Sequence, residues 1–162
     1  MNIFVLDTDP KKCAEYHNDK HVVKMILEQS QILCSVHWVL GNEAPYKLTH
    51  KNHPCSIWAR ECIENYVWLV DMTLELCKEY TYRYGKRHKT QDVLEWCVIN
   101  IPDLPEKGDI TPFALAMPDE YKTNCPVESY RNYYNGAKKD LGQWKNREIP
   151  FWFEENELSL VL

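Results

Sequence analysis

The chain has 162 residues, of which 44% are hydrophobic, 12% aromatic and 27% charged. This length fits one globular domain with a sizeable core, and the low glycine content with many aromatic residues excludes a disordered or fibrous chain. No apolar run approaches the roughly 18–20 residues that span a bilayer, and the apolar stretch 3–6 is too short for a signal peptide, so we expect a cytoplasmic protein. The net charge of −5 argues against nucleic-acid binding through overall charge.

Two long helices are predicted in the first half of the chain. The sequence Asp7-Thr8-Asp9-Pro10 combines capping residues with a proline at the first helical position, and it predicts a helix over residues 10–39. A polar loop over 41–52 separates this helix from a second one over 54–84, in which apolar residues recur at helical spacing. The second helix is predicted to end at Gly85.

The second half of the chain is predicted to be less regular. A short helix is expected over 91–99, and a further helix over 127–141 is followed by an aromatic tail that packs back on the core. Five of the nine prolines lie in 101–126, so this segment is predicted to be an irregular loop with at most one helical turn. Since no strand pattern occurs, the predicted class is all-α: a single helical domain over 1–162 with two long helices, one or two shorter ones and a Pro-rich loop.

The seven cysteines are odd in number and form no Cys-x-x-Cys pair. Most of them fall in apolar helical stretches, which is typical of buried thiols in a reducing compartment. The sequence therefore predicts reduced, buried cysteines, and a four-thiolate zinc site is the less favoured alternative.

The predicted first helix carries a narrow polar stripe. On a helical wheel, its six polar side chains fall within a band of about 100°, and apolar residues flank the band on both sides. A solvated helix face is normally broader and uninterrupted, so the stripe is typical of the floor of a cleft. The members of this stripe are His17, Lys20, His21, Lys24, Glu28 and Gln31.

The stripe holds the groups that nucleophilic and acid–base catalysis need. Lys20 and Lys24 lie one turn apart and each disfavours the charge of the other, which favours a free amine as nucleophile or base. His17 and His21 are expected to exchange protons near neutral pH, and Glu28 to orient a histidine or neutralise a lysine. A surface ladder of ion pairs and a metal site built on the two histidines are the alternatives; without a His-Glu-x-x-His motif, we expect no metal and no other cofactor.

Three segments that mix basic and aromatic side chains are candidates for substrate binding. Segment 50–53 ends at a predicted helix N-terminus, where backbone N–H groups favour phosphate. Segments 82–88 and 130–138 offer Arg and Lys for phosphate and Tyr for stacking on bases, although solvated turns and core tyrosines would produce the same pattern. The predicted substrate-binding residues are Lys24, Lys51, His53, Arg60, Asn65, Arg83, Lys86, Tyr130, Arg131 and Tyr134.

Four segments follow one another in an order that resembles a known family. An N-terminal arm, Asn2-Ile3-Phe4-Val5-Leu6, leads into a helix with polar groups, and 65–85 is similar to the family's second long helix. Ile101-Pro102 followed by 107–112 is similar to its Ile-Pro…Gly-Asp…Pro loop, and 130–138 to its C-terminal aromatic run. The family is that of the pyrimidine-dimer DNA glycosylases, which are small all-helical enzymes.

This resemblance implies a DNA-repair glycosylase with associated lyase activity. Family members attack the sugar C1′ of the damaged nucleotide with the N-terminal α-amine, a helix-borne Glu assists, an imine forms without metal, and a base is extruded. An amine with a pKa near about 8 is a competent nucleophile at neutral pH. Here the implied amine is that of Met1, because Asn2 is bulkier than the residues from which Met is normally trimmed. The family's Arg-Glu pair appears here as Lys20-His21, so His21 or Glu28 would take the acid–base role.

We therefore expect a glycosylase and lyase that acts on a pyrimidine nucleotide in DNA. The expected nucleophile is the amine of Met1 or Lys20, and protons are expected to move through His17, His21 or Glu28. Two other readings stay open at this point: a non-catalytic nucleotide- or nucleic-acid-binding protein, of phage type and directed at host defence, and a nucleotide- or base-modifying transferase on the same scaffold. DNA or a nucleotide is the expected partner, and no membrane is.

Overall fold

The computed structural model describes residues 2–154, and no strand occurs in that range. Single turns of 3-10 helix lie at Asp119–Tyr121 and Lys139–Leu141, and none of the helices described is long and apolar enough to cross a membrane. The predicted all-α class is thus confirmed. The six α-helices of this range are α1 (Pro10–Tyr16), α2 (Asp19–Val39), α3 (Pro54–Ala59), α4 (Ile63–Tyr84), α5 (Gln91–Ile99) and α6 (Pro126–Asn135).

The helix predicted over 10–39 is in fact two helices, because the backbone is extended at His17 and Asn18. Asn18 Oδ1 accepts the backbone N–H of His21 at 2.9 Å and so caps α2. The backbone N–H of Asp19 donates to the carbonyl of Gln143 at 2.8 Å. These bonds satisfy the donors that a new helix start exposes, so His17 lies outside the register of α2.

The helix predicted over 54–84 is also interrupted, between α3 and α4. Cys62 is extended, and the backbone N–H of Ile63 donates to the carbonyl of Pro105 at 2.9 Å. The Pro-rich loop therefore satisfies the start of α4 from a distant part of the chain. The helix predicted over 127–141 ends at Asn135, because the backbone of Gly136 leaves the helical region with φ −96° and ψ −95°. The chain passes so close to Tyr121 here that a Cβ at position 136 would overlap its ring.

The Pro-rich loop 101–126 is irregular with one 3-10 turn, as predicted. Asn65 holds it against the helices. Its amide nitrogen donates to the Trp58 carbonyl at 2.8 Å and to Thr111 Oγ1 at 2.7 Å, and its amide oxygen accepts the backbone N–H of Thr111 at 2.9 Å. The buried Asn65 side chain is therefore a cross-link of the fold.

The core lies between α2 and α4, and the N-terminal segment Ile3–Leu6 runs through it with each side chain at most 4% exposed. All seven cysteines are free thiols and six of them are buried, which agrees with the prediction of buried, reduced cysteines except at Cys125, which is exposed. Burial of Ile3–Leu6 matters for function, because it fixes where Asn2 and Phe4 lie. Asn2 is held in addition by a 2.9 Å bond from its amide nitrogen to the carbonyl of Ala116.

Arg83 is a buried hub that ties α4 to the break between α1 and α2. Its guanidinium donates to Glu79 at 2.7 Å, to Asp19 at 3.0 Å, and to the carbonyls of His17 at 2.8 Å and Glu15 at 2.9 Å. A buried guanidinium with these partners stabilises the packing of the helices and is not available to bind a phosphate.

Replacement of Arg83 by Met is expected to lower the free energy of unfolding by about 3 kcal/mol, because the carbonyls of His17 and Glu15 lose this partner and Glu79 keeps only Arg147. The matched control is Arg87→Met, which removes an exposed guanidinium paired with Asp92 and Glu95 and should leave stability near that of the wild type. Urea unfolding measures both. Equal stability of the two variants would contradict the structural role of Arg83.

Candidate functional site

A cavity of about 180 Å³ lies beside the first half of α2. The helix lines it with one face, since its four contributing residues follow the i, i+3, i+4, i+7 spacing. The N-terminal segment and the segment after α6 complete the wall. The lining residues are Asn2, Phe4, His21, Lys24, Met25, Glu28 and Lys138.

Part of the predicted stripe therefore faces this cavity. His21, Lys24 and Glu28 line it, whereas Lys20 is exposed on the turn before Lys24 and His17 is buried before the start of α2. Glu28 is half-buried. Met1, the predicted source of the amine, lies outside the described residues.

A larger cavity, of about 470 Å³, lies between α1 and the segment 146–151. It contains no member of the stripe. Its guanidinium, that of Arg147, is engaged by Glu79 at 2.7 Å and Glu15 at 3.6 Å. The smaller cavity, with a carboxylate, an imidazole and two amines on its wall, holds more of the groups that catalysis needs.

His21 is a neutral group in the cavity wall. Its ring stacks on Phe4 with centroids 4.2 Å apart, and Nδ1 lies 2.7 Å from the hydroxyl oxygen of Tyr134. Burial lowers the pKa of His21 to about 3, and the positive charges of Lys138, Lys24 and Lys20 act in the same direction. The expectation that His21 exchanges protons near neutral pH is therefore not supported.

His17 is neutral for the same reason. Its side chain is fully buried and its Nδ1–H donates to the carbonyl of Cys13 at 2.7 Å. Burial lowers the pKa of His17 to about 4. Because its ring lies outside the cavity lining, His17 supports the helix break rather than the cavity.

Positive charge collects around the cavity although the protein as a whole is acidic. Lys24 and Lys138 line it, and they join Lys20 in lowering the pKa of His21 through their charge. Such a local group of ammonium side chains attracts phosphate without a basic protein surface overall. Across residues 2–154, no three His, Cys, Asp or Glu side chains come together as a metal-binding group.

Each of the three basic and aromatic segments has one or two residues that interact with α2 or line the cavity, but most of the residues predicted in these segments do not. The side chain of His53 caps α3, burial lowers its pKa, and the charge of Glu28 partly offsets this effect. His88 Nε2 lies 3.1 Å from the carbonyl of Val23. The third segment supplies Tyr134 behind His21 and Lys138 in the cavity wall.

Other predicted substrate-binding residues are held away from the cavity. Tyr130 is buried, and its hydroxyl donates to the carbonyl of Ala114 at 2.5 Å. Arg131 donates to the carbonyl of Leu6 at 3.0 Å and lies over three aromatic rings, among them Trp152 at 5.3 Å. With Asn65 and Arg83, whose partners are described above, these residues hold the fold together.

The remaining predicted residues lie at the surface. Arg60 is half-buried and donates to the carbonyl of Lys51 at 2.6 Å, which closes the loop before α3. Lys51 and Lys86 are exposed. None of the three lines the cavity.

Sequence reasoning did not single out Asn2, Phe4, Asn18, Met25 or Lys138 as site residues. The sequence does contain a pattern that predicts the role of Asn18, because Asn18 followed by Asp19 is a good helix N-cap with an acidic first turn. The roles of Asn2 and Phe4 depend on burial of the N-terminal segment, which no local sequence pattern predicts. Lys138 lies within a segment that was recognised as basic and aromatic.

The buried histidines predict a pH dependence of stability. An unfolded histidine has a pKa near 6.5, whereas that of His21 in the fold is about 3 and that of His17 about 4. Between these values the unfolded chain binds more protons, so the free energy of unfolding falls as the pH is lowered from 6.5, by up to about 1.4 kcal/mol per pH unit for each histidine. His21→Gln removes the contribution of one histidine. In urea unfolding between pH 7 and pH 5, the free energy of unfolding of this variant should therefore depend less steeply on pH than that of the wild type. Equal slopes would contradict a neutral, buried His21.

Comparison with known proteins gives one match. A family model described as pyrimidine dimer DNA glycosylase matches residues 1–92, which run from the N-terminal segment into the first turn of α5 and include every cavity residue except Lys138. No curated protein and no solved structure matches the chain. Since the family model covers more than half of its length, the chain belongs to the pyrimidine dimer DNA glycosylase family.

Proposed function

We propose that the protein is a DNA glycosylase with associated lyase activity, and that it acts at a pyrimidine dimer in duplex DNA. The observation that carries the proposal is the cavity itself: within the family-matched part of the chain, Asn2 and Phe4 of the N-terminal segment line one cavity together with His21, Lys24 and Glu28 of α2. The family makes DNA the expected substrate.

The proposed nucleophile is the α-amine of Met1. Asn2 is itself part of the cavity wall, and a peptide bond keeps the Cα of residue 1 about 3.8 Å from that of residue 2. An α-amine has an ordinary pKa of about 8, so an appreciable fraction is free base at neutral pH. Lys20, the other predicted nucleophile, lies on the exposed surface next to the cavity and suits a phosphate contact better.

The proposed reaction proceeds in two steps. The amine nitrogen forms a bond to C1′ while the C1′–N1 bond breaks, and the bonding electrons leave with the pyrimidine. The attacking nitrogen then loses a proton, which passes to the departing base, and the sugar ring opens to give an imine at C1′ with a proton on O4′. Glu28 is the proposed carrier of these protons, because it is the carboxylate in the cavity wall.

The ammonium groups of Lys24, Lys138 and Lys20 are the proposed contacts for the phosphates that flank the damaged nucleotide. Lys24 and Lys138 line the cavity, Lys20 lies one turn before Lys24 on α2, and the charge of each lowers the pKa of His21. A phosphate backbone that enters here meets positive charge in spite of the net charge of −5.

Borohydride trapping on a duplex with one cis–syn thymine dimer tests this proposal. The wild type should form a covalent protein–DNA adduct and cleave the glycosidic bond of one dimer nucleotide, whose base stays attached to the duplex through the cyclobutane ring. Glu28→Gln should lower the single-turnover rate of this cleavage by about 10²–10⁴-fold, because proton transfer is lost. The control Glu43→Gln changes an exposed carboxylate in the loop before α3 and should keep the wild-type rate.

Two results would overturn the proposal. One is the absence of a trapped adduct on dimer and abasic duplexes together with an intact glycosidic bond in the dimer duplex, which would leave a protein that binds DNA without acting on it. The other is a wild-type rate for Glu28→Gln, which would remove the proposed proton carrier.

A further inference from the structure

We infer that His21 acts as an uncharged hydrogen-bond donor to the departing pyrimidine, and that Tyr134 and Asn18 are positioning residues that fix its tautomer. This role differs from the proton exchange that the sequence predicts for His21. The substrate in this inference rests on the proposed function, whereas the tautomer rests on the geometry of three side chains.

Two donors are directed at Nδ1 of His21. The hydroxyl oxygen of Tyr134 lies 2.7 Å from Nδ1 and accepts the backbone N–H of Asn18 at 3.3 Å, so its own hydrogen is left for Nδ1. The amide nitrogen of Asn18 lies 3.5 Å from the same Nδ1. Its orientation is set, because the amide oxygen accepts the backbone N–H of His21. Nδ1 is therefore an acceptor.

A neutral imidazole whose Nδ1 accepts carries its hydrogen on Nε2. Nε2 has no hydrogen-bond partner among residues 2–154, and His21 lines the cavity. The ring cannot easily rotate, since it stacks on Phe4 with an interplanar angle of 20° and is held by Tyr134 on the Nδ1 side. The N–H of Nε2 is thus the polar group that His21 offers to a ligand.

The charged groups around His21 keep it in this state. Lys20 and Lys24 lie on its own helix and Lys138 follows α6, and the charge of each disfavours a positive charge on the ring. A neutral donor suits an oxygen that gains negative charge during the reaction. When the C1′–N1 bond breaks, the electron pair spreads from N1 to the pyrimidine O2, so a hydrogen bond to O2 strengthens in the transition state.

The chain contains a second buried pair of this kind, which serves as a control. His37 Nε2 lies 2.9 Å from the hydroxyl of Tyr66, and that hydroxyl donates to the carbonyl of Cys97 at 3.3 Å. Here the tyrosine accepts from the histidine, which is the opposite arrangement. Neither residue lines the cavity.

Replacement of His21 by Gln and by Leu separates a donor from a proton carrier. The amide N–H of Gln takes the place of Nε2–H but cannot titrate. The single-turnover rate of glycosidic-bond cleavage on the thymine-dimer duplex should fall by about 10²–10³-fold for His21→Leu, as for loss of a preorganised donor. It should stay within about tenfold of the wild type for His21→Gln. A His21→Gln rate as low as that of His21→Leu would overturn the inference.

The ring ¹⁵N resonances of histidine test the tautomer without any activity measurement. At neutral pH, His21 should show a protonated Nε2 and an unprotonated Nδ1. Tyr134→Phe should populate the other tautomer and lower the rate about tenfold, the equivalent of one hydrogen bond, whereas Tyr66→Phe should change neither the His21 resonances nor the rate. A proton on Nδ1 in the wild type would overturn the inference. Absence of glycosidic-bond cleavage by the wild type would instead count against the proposed function, and the spectra would still decide the tautomer.

Discussion

The break between α1 and α2 is the constraint on which the site depends. Arg83 holds the carbonyl of His17 and the carboxylate of Asp19 from inside the protein, and Asn18 caps the new helix. Because α2 starts anew at Asp19, its residues His21, Lys24 and Glu28 lie on one face of a single helix. That face lines the cavity together with the N-terminal segment. The same Asn18 places its amide against His21, so one residue sets both the helix start and the state of the imidazole.

Local periodicity predicted the parts of the fold that local spacing determines. The helical spacing of apolar and polar residues, together with capping residues, predicted the all-α class, the short helix at 91–99 and the face of α2 that carries Lys24 and Glu28. The two helix breaks were missed, because the bonds that satisfy them come from Gln143 and Pro105, far away in the sequence. The prediction that Arg83 and Tyr130 bind substrate is not supported for a related reason. The sequence does not distinguish a basic or aromatic side chain that is exposed to solvent from one that is hydrogen-bonded to buried carbonyls.

The histidines show how burial changes a chemical prediction. Both have an ordinary pKa close to neutrality, which made them candidates for proton exchange. Burial lowers the pKa of His17 and of His21 well below neutral pH, and neighbouring ammonium groups add to the effect at His21. The proposed division of roles in the cavity, which the sequence does not reveal, is a carboxylate for proton transfer, an uncharged imidazole for hydrogen bonding, and lysines for phosphate.

The central claim is that an amine in the N-terminal segment attacks C1′ inside the cavity beside α2, and the position of the trapped adduct tests it most directly. Reduction of the complex with borohydride, nuclease digestion and peptide mapping by mass spectrometry identify the residue that carries the sugar remnant. The account predicts that the remnant lies on the α-amine of residue 1. A remnant on a lysine remote from the cavity, such as Lys51 or Lys86, would contradict it.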